Sequence, residues 1–129
     1  MRRVAALCLA LGASACAGDT ANGFGGPDIV WKLVEINGAP FDANATLRFP
    51  AQGRIAGGAP CNSYFGALGG TYPAFNVPVI GASKRACPDL PAERAYFAAL
   101  NAVDRANRDS DRLILSDASG PRLVFTRAD

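Results

Sequence analysis

Cysteines are the first side chains in this sequence that could do chemistry. Four are present, Cys8, Cys16, Cys61 and Cys87, in a chain with no histidine. Without imidazole there is no Ser-His or Cys-His nucleophilic pair, no His-ligated zinc and no use of the commonest general base. Cys61 and Cys87 admit three readings: a disulfide, a redox pair or metal ligands. Two thiols without C-x-x-C spacing make a poor zinc set, and nothing in the sequence marks either as a low-pKa nucleophile. The expectation is a structural disulfide, with no metal and no cofactor.

The remaining polar candidates are weaker as chemistry. A Ser83-Lys84 dyad fails because strand neighbours project to opposite faces, and Ser63 with Lys84 would require the fold to bring them together. Glu35 and Glu93 are the only glutamates, and nothing in the sequence sets them at one cleft, as paired acid–base work requires. No catalytic residue is assigned. A binding surface is the alternative, made of Asn62, Ser63 and Tyr64 beside Cys61, with Lys84 and Arg85 as the one adjacent basic pair beyond the leader. Asn62 is expected to bond its own backbone in its loop, and at least one of Tyr64 and Phe65 to be core.

These residues are positioned by what precedes them. Residues 1–15 have the layout of a signal peptide: Arg2 and Arg3, an apolar run from Val4 to Leu11, then small residues. The run is too short to span a bilayer, which takes about 20 apolar residues. Ala13-Ser14-Ala15-Cys16 reads two ways. It resembles a bacterial lipobox with Cys16 as the lipidated residue, and Ala13-Ser14-Ala15 is also an A-x-A site for ordinary signal peptidase, which would release a soluble periplasmic protein. Cysteine arithmetic favours lipidation: with Cys8 removed and Cys16 acylated, Cys61 and Cys87 remain as an even pair in an oxidising compartment. Ala17, where an aspartate would favour the inner membrane, points to the outer membrane facing the periplasm. Residues 16–27 form the lipidated terminus and a glycine-rich tether, spanning on the order of 15–20 Å.

Composition sets the class. Half the residues are hydrophobic and 19% are charged, which suits one globular domain, residues 28–129. The formal charge of +2 owes everything to the leader: without Arg2 and Arg3, 11 bases face 11 acids. No basic excess is left for nucleic acid. Arg105, Arg108 and Arg112, interleaved with Asp104, Asp109 and Asp111, read as a solvated turn.

The domain alternates short β-prone runs with Gly, Pro and Asn. Residues 29–36 form a strand that stops at Asn37-Gly38, and residues 46–49 and 54–57 form a hairpin around Pro50-Ala51-Gln52-Gly53. Five glycines crowd residues 57–70, a loop around Cys61. Residues 71–80 hold another strand limited by Pro73 and Pro78, and 83–86 a short one leading into Cys87. One helix follows, with Asp89 as N-cap, Pro91 in the first turn, Glu93 near the positive end of the dipole, and Tyr96, Ala99, Leu100 and Val103 at helical spacing. A hairpin of 112–116 and 122–126 closes the chain. The expected fold is mainly β (α+β): a small antiparallel, partly open barrel-like sheet of roughly six to eight strands with one packed helix.

Together, Trp31-Lys32-Leu33, Gly53-Arg54-Ile55-Ala56-Gly57, Cys61-Asn62-Ser63-Tyr64-Phe65-Gly66, Ser83-Lys84-Arg85-Ala86-Cys87-Pro88 and the run from Glu93 to Leu100 resemble the META domain, the HslJ-like group of bacterial envelope proteins. The order and spacing agree over residues 28–126. The resemblance implies a small β-rich exported domain, commonly a lipoprotein, linked to envelope stress and antibiotic tolerance, with no enzymatic activity attached. Ser63 departs from the pattern, since a basic residue often follows the Asn. The partners expected are the membrane, through lipid at Cys16, and an unidentified envelope protein or cell-wall component, bound by a monomer. A small-ligand binder or hydrolase, rimmed by the 61–70 loop, is the alternative. It requires that Trp31, Leu47, Phe49 and Phe125 leave the interior open.

Overall fold

Trp31 and Leu33 face inward on either side of the exposed Lys32 in β1 (Trp31–Ile36), the strand on which the larger sheet is built, and a bulge follows Leu33. The structure, a computed structural model, describes residues 23–128; the leader, Cys8 and Cys16 lie outside the described residues. Asn37 and Gly38, with φ of 51° and 83°, turn the chain back through a left-handed pair that matches strand twist. β2 (Ala39–Pro40) therefore lies on β1, and β3 (Thr46–Leu47) pairs farther along the same edge, Leu47 opposite Trp31. The other edge of β1 takes β9 (Gly120–Arg127), followed by β8 (Arg112–Asp117) and β7 (Arg105–Asp109), all antiparallel.

A second sheet is made of β4 (Arg54–Gly58), β5 (Ser63–Ala67) and β6 (Ile80–Ala82). The two sheets are not closed into a barrel. They meet where Arg48 bridges to Ala56 and where a side chain on Gly57 would collide with the Thr46 carbonyl. Only a glycine lets the backbones cross this closely. The helix α1 (Leu90–Ala102) covers both: the Tyr96 ring meets Phe125 of β9 at 6.4 Å and Tyr64 of β5 at 5.6 Å.

The fold class is the expected one, with antiparallel sheets and one packed helix. Trp31, Leu47, Phe49 and Phe125 are all buried and fill the interior with side chains. The terminal hairpin forms as expected, Leu113 facing Phe125 and Leu115 facing Leu123.

Several local expectations are corrected. The 46–57 hairpin forms in part: Arg48 and Ala56 exchange backbone hydrogen bonds at 2.7 and 3.1 Å across the expected turn, while β3 also pairs with β1 of the large sheet and β4 with β5 of the small one. The glycine-rich 61–70 stretch is not a loop but contains β5, whose Tyr64 and Gly66 face inward. Within 71–80, Phe75 and Val77 are fully buried, yet Ala74 and Asn76 make only isolated bridges before β6 begins at Ile80. The strand expected at 83–86 lies just upstream, at Ile80–Ala82. The Arg/Asp-rich segment is β7 rather than a solvated turn. Its one inward apolar residue, Ala106, is too small to register as hydrophobic alternation, and Arg108 lays its guanidinium 5.7 Å from the Trp31 ring centre. The end of the expected tether is packed: Phe24 stacks on Phe49 at 4.2 Å, and its carbonyl accepts the Trp31 indole N–H at 3.2 Å. Asp89 stands at the N-cap of α1 but its carboxylate makes no capping bond.

Candidate functional site

Cys61 and Cys87 are joined, with Cα atoms 5.6 Å apart. Cys87 lies three residues before α1, so the bridge holds the end of the β4–β5 turn against the first turn of the helix. A carboxylate completes the joint. Glu93, one turn into α1, accepts the Cys61 N–H at 2.9 Å and the Asn62 N–H at 3.0 Å on one oxygen, and the Asn62 side-chain amide at 2.7 Å on the other. Successive backbone N–H groups thus make a small anion-holding nest that the protein fills with its own glutamate.

Asn62 is the centre of the cluster, and it does not bond locally as expected. Its carbonyl oxygen accepts the Arg85 N–H at 2.6 Å and the Ser83 hydroxyl at 3.0 Å, while its amide also donates to the Arg85 carbonyl at 3.1 Å. The carboxamide therefore engages both polar groups of the Arg85 backbone, as a neighbouring strand would. Asn62 and Glu93 are the only buried polar or charged side chains of the described residues, and they satisfy one another, as low-dielectric surroundings demand.

The remaining residues of the expected surface separate. Ser63 is exposed, its N–H on the Ser83 hydroxyl at 3.3 Å. Tyr64 is corrected: it is buried, its hydroxyl on the Thr46 carbonyl and on the Tyr96 hydroxyl, both at 2.6 Å. Burial pushes both phenols above the ordinary tyrosine range. Phe65 takes the outer face instead, 60% exposed. Lys84 and Arg85 are exposed, one residue beyond the end of β6. They edge a shallow groove of about 420 Å³ between β6 and α1, with Ile80, Ala82, Leu90 and Phe97 as its apolar lining. Cys16 lies outside the described residues.

Sequence reasoning missed Glu93 as the partner of Asn62. The available signal was its place one turn into a helix that starts beside Cys87. A second concavity, about 400 Å³, lies at the far end of the β4–β5 hairpin between Phe24, Phe49, Leu68 and Tyr72. The 61–70 segment expected as one rim thus contributes to two separate hollows, one at each end of β5.

Two solved structures share the fold. The NMR structure of a protein from Burkholderia xenovorans superposes with a TM-score of 0.63 at 21% identity, covering 95% of this chain and 99% of that one. Another NMR structure gives a TM-score of 0.62 at 17% identity, over 80% of this chain and 92% of the other. No curated protein matches the sequence. The Cys-Asn and Ala-Cys-Pro elements, joined here by a disulfide and by Asn62, lie within the part of the chain, residues 27–129, that matches the META domain, and the chain belongs to that family.

Proposed function

We propose that this protein is a non-catalytic META domain of the bacterial cell envelope, lipid-anchored through Cys16 in the outer membrane and acting on a periplasmic or cell-wall partner through its surface. Its service is to envelope stress tolerance, as the family resemblance implies. The observation that carries this reading is the Cys61–Cys87 disulfide, a bond that persists in oxidising compartments and is rare in the cytosol. The absence of assigned catalysis is supported by the fate of Glu93. It is the one buried carboxylate among the described residues, and it is committed to N–H donors of Cys61 and Asn62. Weighing against the small-ligand alternative, Trp31, Leu47, Phe49 and Phe125 are buried in the interior.

The test is mass spectrometry of the membrane fraction from the native host. The expected product begins at Cys16, carries acyl chains, and has Cys61 and Cys87 blocked against alkylation under denaturing, non-reducing conditions. An intact leader on cytosolic protein with both thiols free overturns the reading.

A further inference from the structure

The backbone of residues 80–85 behaves as a strand along one side only. Gly81 pairs with Phe65, the Ser83 N–H goes to the Ser63 carbonyl at 3.2 Å, and both polar groups of the Arg85 backbone go to the Asn62 side chain. Hydrogen bonding in an antiparallel ladder alternates, so a residue whose N–H and C=O point at one neighbour is flanked by residues pointing away. Residues 81, 83 and 85 point towards β5 and Asn62. Ile80, Ala82 and Lys84 therefore turn their N–H and C=O groups outward, and no strand among the described residues pairs with that side.

The other sheet edges are blunted. β2 is two residues long and ends in Pro40; β4 is tied to Arg48; β7 is covered by residues 73–75, through bonds from Ala106 to Pro73 and from Phe75 to Asp104. The outward edge of β6 is thus a place where another extended chain can pair. The groove beside it supplies side-chain contacts through Ile80, Ala82, Leu90 and Phe97. Its exposed charge is of one sign: Lys84 and Arg85 are exposed and make no ion pair among the described residues, and the one carboxylate in the lining, Glu93, is buried beneath the N–H groups of Cys61 and Asn62.

We infer that the edge formed by Ile80, Ala82 and Lys84 is a docking site for an extended acidic peptide segment of a partner, which adds a strand to β6 and sets its carboxylates against Lys84 and Arg85. This mode draws affinity from main-chain hydrogen bonds and specificity from the flanking side chains. It rests on the surface-contact reading above and names the partner's chemistry. The location agrees with an anchor at the N-terminus: the chain joins the domain at Phe24, beside Gly53 and Leu68, whereas the groove is at the Asn62 end of the same hairpin.

The experiment uses the oxidised protein, isotope-labelled for NMR, and a pool of hexapeptides alternating Glu with Val, Leu or Phe. Matching pools carry Lys for Glu, or N-methyl groups on every second amide in each of the two phases. The acidic pool is expected to slow amide exchange at Ile80, Ala82 and Lys84 by about tenfold, with one phase of methylation abolishing the effect because it removes the pairing donors. The K84E/R85E variant is expected to reverse the preference between Glu and Lys pools by about tenfold, both changes being on exposed side chains. Equal binding of both methylated pools, protection mapping instead to the Phe24 and Phe49 hollow, dimerisation through β6, or binding of anionic phospholipid vesicles in place of peptide would each overturn the inference. Lipidation and export are not read by this assay, so its failure and theirs are separable.

Discussion

Glu93 and Asn62, 31 residues apart in sequence, are joined by two hydrogen bonds, one to the main-chain N–H at 3.0 Å and one to the side-chain amide at 2.7 Å. Through this pair the first turn of α1 fixes the β4–β5 turn, and through Asn62 it fixes the backbone of Arg85. One buried carboxylate thereby sets the relative position of three segments. Glu93→Ala leaves the N–H groups of Cys61 and Asn62 and the Asn62 amide without their acceptor. The expected loss is about 3 kcal/mol of unfolding free energy, since hydrogen bonds to charged groups contribute about 1.5–3 kcal/mol each and strand-end donors regain some water. Urea denaturation of the oxidised protein measures it.

Asn62 offers a sharper contrast. Asn62→Ala removes four hydrogen bonds and is expected to destabilise by about 2 kcal/mol, the partly exposed Arg85 groups recovering water. Asn62→Asp is nearly isosteric yet replaces the donor facing Glu93 with a second carboxylate. It is expected to be the worse of the two at neutral pH. Its penalty should shrink on acidification, because protonating one member of the pair removes the like-charge repulsion. Paired urea melts at neutral and acidic pH decide this; an Asp variant as stable as wild type at neutral pH contradicts the geometry.

The disulfide closes a loop with a sequence separation of 26. In the chain-entropy treatment, a ring of this size stabilises by about 3.5 kcal/mol. The Cys61→Ala/Cys87→Ala double variant is expected to lose roughly that amount while keeping its antiparallel sheets. Thermal unfolding followed by circular dichroism, compared with the reduced wild type, measures the effect.

Tyr64 and Tyr96 supply a pH dependence. Desolvation raises both phenols above the ordinary value of 10.0, so the folded state keeps its protons where the unfolded state gives them up. Stability from this source is complete below the unfolded value and declines as pH rises through it towards the folded one. The wild type should therefore lose stability above pH 10, more steeply than Tyr64→Phe/Tyr96→Phe. Urea midpoints across the alkaline range compare the slopes; equal slopes would refute the assignment to these phenols.

The sequence by itself determined the class of this fold and much of its interior. The β-prone runs at 29–36, 112–116 and 122–126, the turn at Asn37-Gly38 and the helical spacing of Tyr96, Ala99 and Leu100 are local signals, and packing had only to agree with them. The pairing of Cys61 with Cys87 was also expected from the sequence, by a count of thiols that sets Cys8 and Cys16 aside. Tertiary structure alone decided that Leu47 and Ile55 go to different sheets, that Ala106 lies on a strand, and that Tyr64 is inside while Phe65 is outside. It alone brought Glu93 to Asn62 and left the outer side of β6 open. A local pattern says which face of a segment is apolar; it cannot say which distant segment will meet that face, and a buried polar group is defined only by the partner that reaches it.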